Sequence, residues 1–370
     1  MGKSGRAALS TNDRARDIES FLKRSGWGAA RRHALVADAS SRRYERLYGA
    51  NGPAILMDAP SGDEASSCPP AANEEERAAL GYNAQARLSG SDTRAYAALA
   101  EELVARGFSA PKIMAADHEH NLLLLEDLGD DLFARIAVDQ AELYGAAVDA
   151  LAALSRSSFG AKMPFGGDDW TVLDYDNCAL MTEANLLIDW YAPYRGAALD
   201  AAAHEEVEAL WLEAFAQLDA LPRVLSLRDV HAENLMWLPD RDGVARVGLI
   251  DFQDALFGSP AYDLVSLLQD SRRDLPDGLE ETMIARFIEH AKITDPKAFR
   301  ASYAILGAQR SAKVLGIFVR LAKRDGKERY LQYLPITARK IVRSLSHPVL
   351  GKLQKWMQDH VPAIFTEGQE

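Results

Sequence analysis

The chain has 370 residues, of which 48% are hydrophobic and 26% are charged. Those fractions are ordinary for globular proteins and exclude the collagen-like, intrinsically disordered and disulfide-scaffold classes. The formal net charge is −12. An excess of negative charge that large argues against holding nucleic acid or anionic lipid by bulk electrostatic attraction, so neither is an expected partner.

The cysteines and the apolar runs indicate the compartment. Cys68 and Cys178 are not accompanied by a CxxC motif or a Cys/His cluster, so neither a zinc site nor a disulfide framework is predicted. The first ten residues contain no apolar segment of the secretory type. The longest apolar runs, such as residues 122–125, are far shorter than the ~20 residues that a membrane helix needs. We therefore expect a cytoplasmic protein with no membrane partner.

The first 125 residues predict an antiparallel sheet with few helices. A short helix over residues 17–24 is followed by strands at 33–37, 44–48 and 54–57. Asn51-Gly52 is a strong hairpin signal, because both residue types tolerate positive φ. After a loop over 60–73, the pattern predicts helices over 74–88 and 92–106 and strands at 112–116 and 122–125. Five strands with a few helices indicate an α+β arrangement.

After Asp127-Leu128-Gly129 the pattern becomes mostly helical. Helices are predicted over residues 139–155, 204–221, 260–269, 279–291 and 296–321. Two short strands, at 235–238 and 246–250, interrupt this helical region and surround a polar turn typical of a hairpin. A hairpin inside a helical region is unusual enough to require a functional reason.

Three oxygen-bearing side chains flank this predicted hairpin. Asp229 and Asn234 precede its first strand, and Asp251 follows its second. Because a hairpin returns the chain, Asn234 and Asp251 are expected at the same end of it. Two carboxylates and an amide suit a hard cation such as Mg²⁺, which takes one or two protein carboxylates together with waters and nucleotide phosphates. An Asp-x4-Asn motif alone is common by chance, but the three residues in this order favour a catalytic site.

This segment resembles the catalytic region of the aminoglycoside phosphotransferase and choline kinase family, which has a protein-kinase-like fold. The resemblance rests on Arg-Asp-Val-His-Ala-Glu-Asn at 228–234, Leu-Ile-Asp-Phe-Gln-Asp-Ala at 249–255 and Tyr-Asp-Leu at 262–264. It implies that Asp229 accepts the proton of the substrate hydroxyl and that Asn234 and Asp251 hold Mg²⁺. It also implies that Asp263 has a structural role, bracing the backbone of the catalytic loop.

Softer motifs are similar to a bacterial subgroup, the anomeric kinases of N-acetylmuramate and N-acetylglucosamine in cell-wall sugar recycling. They are Asp-Ala-Ser-Ser-Arg-Arg-Tyr at 38–44, Leu-Met-Asp-Ala-Pro at 56–60 and Leu-Leu-Glu-Asp-Leu-Gly-Asp at 124–130. The resemblance implies a two-lobed α+β fold, with ATP bound by residues 1–128 and the catalytic loop and acceptor site in residues 129–370. It also implies ATP- and Mg²⁺-dependent phosphorylation of the anomeric hydroxyl of an amino sugar in peptidoglycan recycling.

The nucleotide-binding part departs from the protein-kinase pattern at one position. Met57 stands where the third strand of a protein kinase carries a lysine that contacts phosphates. Ser40 and Ser41, with Arg42 or Arg43, can supply N–H groups, hydroxyls and a guanidinium in its place. Of the two arginines we assign Arg43, and solvated strand-flanking arginines are the alternative reading.

The resemblance also places the adenine and the acceptor. The segment from Glu126 to Leu128 would be the hinge between the lobes, whose backbone binds adenine. An aromatic-rich stretch in the helical part is typical of a sugar pocket, although it could equally be a helix packing its aromatic side chains into the core. The residues assigned to the acceptor site are Glu183, Trp190, Arg195 and His231. For His231 the alternative, which we favour, is a hydrogen bond within the catalytic loop.

Two alternatives stay open at this point. One is a kinase of another small hydroxylated acceptor, such as an aminoglycoside or an amino alcohol. The other is a nucleotide-binding module without catalysis, which Met57 and Leu227 favour, since Leu227 replaces the histidine of the protein-kinase His-Arg-Asp motif. The intact Asp229, Asn234 and Asp251 oppose that second alternative, because metal ligands have little use without phosphate chemistry.

Overall fold

A computed structural model describes residues 11–35, 42–60 and 67–369 of the chain. These residues form two compact units. The first unit contains the described residues up to Asp130, and two later segments, Lys162–Thr171 and Gly248–Gln253, return to it. The second contains Asp131–Ala161, Val172–Val247 and the chain from Asp254 onward. The boundary predicted from the sequence lies at residue 128, and no local pattern predicts the two returning segments.

The first unit is built on a five-stranded antiparallel sheet, which confirms the predicted fold class. The strand order is β1-β2-β3-β5-β4. The elements before residue 130 are α1 (Thr11–Arg24), β1 (Arg31–Ala34), β2 (Arg43–Gly49), β3 (Gly52–Asp58), α2 (Glu74–Leu80), α3 (Tyr82–Gln85), α4 (Thr93–Ala105), β4 (Ile113–Asp117) and β5 (Leu122–Glu126).

Local chemistry explains two of these boundaries. Gly49 pairs with Gly52 at the end of the β2–β3 hairpin, and Gly52 has φ +92°, a conformation that glycine adopts without strain. The helix predicted over 74–88 is divided instead, because Gly81 has φ +97° and ends α2. α1 covers one face of the sheet and packs Phe21 and Leu22 into a core shared with Leu56.

The remaining elements are mostly helices, as predicted. They are, in chain order, α5 (Gln140–Arg156), β6 (Lys162–Phe165), β7 (Asp168–Thr171), α6 (Asn177–Ala184), α7 (Ala192–Tyr194), α8 (Ala201–Phe215), β8 (Val224–Ser226), β9 (Leu235–Trp237), β10 (Val247–Leu249), β11 (Leu256–Gly258), α9 (Ala261–Leu268), α10 (Leu279–His290), α11 (Pro296–Lys323), α12 (Leu334–Leu345), α13 (Gly351–His360) and α14 (Ala363–Glu367). A single π-helical turn, Leu187–Tyr191, precedes α7. β6 and β7 belong to the first unit.

Two short pairings hold the region around the predicted catalytic loop. β8 pairs with β11 in antiparallel register, and β9 and β10 form the predicted hairpin. The backbone N–H of Leu238 donates to the carbonyl of Arg246 across 2.9 Å at the turn of that hairpin. The loop from Leu227 to Asn234 therefore runs between two anchored strands.

The 28-residue helix α11 is the central packing element of the second unit, and most of its side chains are buried. Gly316 of α11 lies very close to the backbone of Leu186. A Cβ at Gly316 would lie 2.1 Å from the carbonyl oxygen of Leu186, so only glycine fits there. Within the described residues, no helix has the length and apolar character needed to span a membrane.

Candidate active site

The backbone of the predicted catalytic loop is held by Asp263, in the first turn of α9. Its buried carboxylate accepts hydrogen bonds from the backbone N–H groups of Leu227 (2.7 Å) and Arg228 (2.9 Å) and from the hydroxyl of Ser226 (2.8 Å). Burial raises the pKa of Asp263, and these hydrogen bonds act in the opposite direction. Asp263 thus makes the bracing contacts that the sequence analysis assigned to it.

Arg228 anchors the loop through a buried charge cluster that it forms with Glu183 and Lys313. Its backbone has φ +71°, a strained conformation for a residue with a side chain. Its buried guanidinium pairs with Glu183 and lies 4.7 Å from the ring centre of Tyr175. Glu183 also accepts from the ammonium of Lys313, with 2.7 Å between Nζ and Oε1. Burial opposes ionisation of Glu183, but the charges of Arg228 and Lys313 outweigh it and lower its pKa.

Asp229 is the next residue in the loop, and its carboxylate is partly exposed beside this charge cluster. Its side chain is 35% exposed, and Nη2 of Arg310 lies 3.8 Å from its Oδ1. Burial would raise the pKa of Asp229, but the positive charges of Lys313 and Arg310 lower it to about 2. Asp229 is therefore ionised at neutral pH and can accept a hydrogen bond from a hydroxyl.

Asn234 and His231 make contacts within the catalytic loop. Nδ2 of Asn234 donates to the backbone carbonyl of Asp229 across 2.9 Å and lies 3.3 Å from Nε2 of His231. Arg272 places its Nη1 3.4 Å from the same Nε2. Because both neighbours can only donate, Nε2 must be the acceptor and the ring proton is assigned to Nδ1. Burial lowers the pKa of His231 to about 4, so the ring is neutral.

Asp251 lies in the first unit and carries the same kind of backbone strain. Its φ is +60°, and its Oδ1 accepts from Nε2 of Gln253 at 3.1 Å. Nη1 of Arg42 lies 3.5 Å from that oxygen, and Nη2 of Arg42 donates to the carbonyl of Gly90 at 2.9 Å. Non-glycine residues at positive φ cost energy and cluster at functional sites, and Arg228 and Asp251 are two of the five such residues described here.

These contacts distinguish Arg42 from Arg43, the arginine assigned to the phosphates from the sequence. Arg43 begins β2 opposite Asp58, and its side chain is exposed to solvent. Arg42, the adjacent residue, contacts Asp251. Neighbouring side chains of an extended chain point in opposite directions, so one arginine of the pair can reach Asp251 and the sequence could not say which. Ser40 and Ser41 lie outside the described residues.

The predicted hinge residues follow β5. The backbone N–H of Glu126 donates to the carbonyl of Lys112 at 2.9 Å, so this N–H is engaged within the first unit. Leu128 is half-buried in the turn that follows. The turn itself is fixed by Arg46, whose Nε lies 2.6 Å from Oδ2 of Asp127. Met57 lies buried in β3, where the sequence analysis noted the missing lysine.

The predicted acceptor residues are not gathered at one place. His231 lies in the catalytic loop, whereas Glu183 is fully buried and pairs with Arg228, so it positions the loop and cannot line an open pocket. Arg195 pairs with Glu367 of α14. Trp190 is half-buried in the π-helical turn. Within the described residues, no hydrogen bond or ion pair joins Arg195 or Trp190 to the catalytic loop.

Sequence reasoning missed the basic residues of α11 and the segment after α9. Arg310 and Lys313 surround Asp229 with positive charge, and Arg272 contacts His231. The available signal was the spacing of Arg310 and Lys313, three residues apart inside a long apolar run, because charges in such a run are buried when the helix is central.

The donor atoms present suit a cation with few protein ligands. No group of three or more His, Cys, Asp and Glu side chains able to hold a metal occurs in residues 11–35, 42–60 and 67–369. The amide nitrogen of Asn234 faces Asp229 and His231, which directs its oxygen away from them. An amide oxygen is a hard donor of the kind that Mg²⁺ accepts beside phosphates and water, and within the first unit the carboxylate of Asp251 is another.

A five-stranded antiparallel sheet in one unit and an Asp-x4-Asn loop with its hairpin in a helical unit define a kinase-like phosphotransferase. The chain belongs to the phosphotransferase enzyme family, which it matches over residues 32–301. Membership of this kinase family implies ATP as the phosphate donor, typically with a divalent metal ion.

Individual proteins with a similar sequence or a similar structure give more detail than the family match. The chain is 44% identical to the N-acetylmuramate/N-acetylglucosamine kinase of Caulobacter vibrioides over 345 residues, 92% of this chain and 95% of that protein. A choline/ethanolamine kinase family protein from Mesorhizobium loti has a similar structure, with 16% identity, a TM-score of 0.51 and coverage of 94% and 99% of the two chains. A GDP complex of an aminoglycoside 2′-phosphotransferase is also similar in structure, with 13% sequence identity and a TM-score of 0.58. The match covers 90% of this chain and 99% of that one. These two structures support the fold alone.

Proposed function

We propose that this protein transfers the γ-phosphoryl group of ATP to the anomeric hydroxyl of N-acetylmuramate or N-acetylglucosamine, as a step of peptidoglycan sugar recycling. The observation that carries the proposal is the 44% identity to a kinase of that name across nearly the whole of both chains. The contacts of the catalytic loop support it, because Asp229 is ionised and Asn234 is hydrogen-bonded to the backbone beside it.

In the proposed reaction, Asp229 orients the acceptor hydroxyl and accepts its proton. The carboxylate is suited to this role because Lys313 and Arg310 keep it ionised and because a third of its side chain is accessible. A pKa of about 2 makes Asp229 a weak base. A loose phosphoryl-transfer transition state needs little proton removal, so the main contribution of Asp229 is to hold the hydroxyl in line.

Asn234 and Asp251 are proposed to hold Mg²⁺. When bound, the ion neutralises charge on the phosphates of the nucleotide. Arg42 contacts Asp251 and takes the place that the sequence analysis gave to Arg43 as the guanidinium for the phosphates. The proposed adenine contact stays with the backbone near Leu128, because the N–H of Glu126 is already used.

The charges around Asp229 favour an amino sugar over a cationic acceptor. Lys313, Arg310 and Arg272 surround the loop. An aminoglycoside or an amino alcohol would bring further positive charge against these groups. Because ATP is a cytoplasmic metabolite, we propose a cytoplasmic location for the reaction.

The test is an acceptor panel with Mg-ATP in which ADP release is measured and the product is identified by phosphorus NMR. N-acetylmuramate and N-acetylglucosamine should give sugar 1-phosphates. The matched negative substrate is the methyl glycoside of N-acetylglucosamine, whose anomeric oxygen is blocked and which should not react. Turnover of kanamycin or choline in place of the amino sugars would contradict the proposal.

A variant links the measured activity to the proposed site. Asp229→Asn should lower kcat by roughly 10²–10⁴, the range for a lost acid–base group, in a variant that still folds and unfolds cooperatively. Asp242→Asn makes the same chemical change at an exposed position of the β9–β10 turn and should leave the rate unchanged. Equal rates for Asp229→Asn and the wild type would show that Asp229 does not act on the acceptor.

A further inference from the structure

Arg310 is a buried guanidinium with unused hydrogen-bonding capacity. It is 8% exposed, and its ion pair with Asp229 spans 3.8 Å, which is too long for a hydrogen bond. Among the described residues this is its single ion pair, and its guanidinium donates no hydrogen bond to them. A guanidinium has five N–H donors, and the described residues accept from none of those of Arg310. These donors are therefore available to an anionic ligand.

The other buried cations of this cluster each have a close ion-pair partner. Lys313 lies one turn further along α11, with its Nζ 2.7 Å from Oε1 of Glu183. Arg228 pairs with the same carboxylate. An anion arriving at the cluster would therefore gain most from Arg310.

Arg310 also lies where an acceptor would bind. Its nearest charged partner, Asp229, is the residue that we propose holds the acceptor hydroxyl. The charges of Arg272 and Arg310 both act on His231, so two guanidinium groups lie within electrostatic reach of the catalytic loop. A carboxylate is the anion that a planar guanidinium binds most specifically, through two parallel hydrogen bonds.

We infer that Arg310 binds a carboxylate of the acceptor and so distinguishes acidic from neutral amino sugars. The inference rests on the proposed function, because N-acetylmuramate carries a lactyl carboxylate that N-acetylglucosamine lacks. Arg310 then sets the relative specificity for the two sugars while Asp229 acts on either.

The experiment measures kcat/KM at saturating Mg-ATP for three acceptors: N-acetylmuramate, its neutral lactyl amide and N-acetylglucosamine. In the wild type the acid should be preferred to its amide. Arg310→Gln should lower that preference by roughly 10- to 100-fold, the effect expected for a hydrogen bond to a charged group. Arg310→Lys should retain part of it, because a lysine keeps the charge but not the planar fork.

The matched control is Arg300→Gln, on the same helix, where an exposed arginine pairs with Glu281. It should leave all three rates unchanged. Should Arg310→Gln fail to fold, as judged by its melting curve, Arg310→Lys carries the test, with an expected drop of at least threefold in the preference for the acid over its amide.

The outcomes separate this inference from the proposed function. A wild type that phosphorylates neither sugar overturns the proposed function and this inference together. A wild type that is active, with variants that lower the rates of all three acceptors equally, overturns only the inference, and Arg310 would then act on Asp229 or on the transferred phosphoryl group. A wild type that uses the acid and its amide equally also overturns it.

Discussion

The side-chain amide of Asn234 donates a hydrogen bond to the backbone carbonyl of Asp229, 2.9 Å away. This bond joins the proposed metal ligand to the proposed base within one loop, and it determines which side of the amide is left for a cation. A change at Asn234 should therefore affect both metal use and loop geometry.

We expect Asn234→Ala to raise the Mg²⁺ concentration for half-maximal rate by at least about 10- to 100-fold, the range seen when even an orienting residue of a metal site is removed. The rate is measured against Mg²⁺ at fixed ATP. Asn185→Ala serves as the control, since Asn185 bonds Glu208 elsewhere in the second unit. An unchanged Mg²⁺ requirement would contradict the assigned role of Asn234.

The two neighbouring arginines before β2 give a matched pair. Arg42 contacts Asp251, and Arg43 is exposed. Arg42→Lys should raise KM for ATP roughly 10-fold or more, consistent with a charge-assisted hydrogen bond of about 1.5–3 kcal/mol, while KM for the sugar changes little. Arg43→Lys should resemble the wild type. A larger effect at Arg43 would restore the assignment made from the sequence.

An independent measurement avoids reliance on turnover. Mg-ATP should raise the melting temperature of the wild type by mass action, because it binds only the folded protein. The rise should be smaller for Arg42→Lys than for Arg43→Lys at the same ligand concentration. Equal rises in the two variants would place the phosphates elsewhere.

The sequence predicted those features that depend on local pattern. The hairpin between β2 and β3 and the five strands follow from periodicity and turn chemistry, although the turn lies at Ala50-Asn51, one residue earlier than predicted. The order of Asp229, Asn234 and Asp251 across a hairpin, within the motifs at 228–234, 249–255 and 262–264, indicated the family. These signals are short-range or strictly ordered along the chain, so they can be read without knowing which helices pack together.

The features that the sequence could not supply depend on tertiary packing. Glu183 and Arg228 are 45 residues apart and form a pair only because α6 packs beneath the loop. Glu183 is predicted from the sequence to bind the sugar, but in the structure it is fully buried and pairs with Arg228 of the loop. The strand direction that separates Arg42 from Arg43 likewise depends on register, which no local pattern fixes.

The buried cluster at Glu183 leads to a stability prediction. Glu183 is fully buried and carries the negative charge for both Arg228 and Lys313. Glu183→Gln leaves two buried cations uncompensated and should cost about 3–5 kcal/mol of unfolding free energy in urea. Glu213→Gln removes an exposed partner of Lys352 and should cost less than about 1 kcal/mol.

A second substitution distinguishes charge from packing at this cluster. Adding Lys313→Met to Glu183→Gln removes one uncompensated cation and should recover part of the lost stability. A double variant less stable than the sum of the two single changes would show that the cluster is held by packing and not by charge balance.

The close approach at Gly316 gives a steric prediction. An alanine Cβ there would lie 2.1 Å from the carbonyl oxygen of Leu186, which is backbone and cannot rotate away. Although alanine is the better helix former by about 1 kcal/mol, we expect Gly316→Ala to destabilise the protein by at least about 1–3 kcal/mol. Gly351→Ala at the start of α13 meets nothing within 4 Å and should be neutral or stabilising. Melting temperatures of the two variants decide the point.

Lys340 of α12 gives a prediction about pH. Its buried ammonium donates to the backbone carbonyls of Asp270 and Arg273, and so holds the segment that carries Arg272. Burial lowers the pKa of Lys340 to about 8. Between pH 8 and its ordinary value of 10.5, the unfolded chain binds a proton that the folded chain has released. The contribution of Lys340 to stability should therefore rise with pH in that window.

The measurement is the unfolding free energy in urea at pH 7.5 and pH 9.5 for the wild type and Lys340→Met. The unfolding free energy of the wild type minus that of Lys340→Met should increase by up to about 2 kcal/mol from pH 7.5 to pH 9.5, because only the wild type has this proton to release. Taking the difference cancels the other groups that titrate in this range. Lys352→Met, an exposed lysine paired with Glu213, should show no such growth. A difference that is constant or shrinks with pH would mean that the pKa of Lys340 is not lowered in the folded protein.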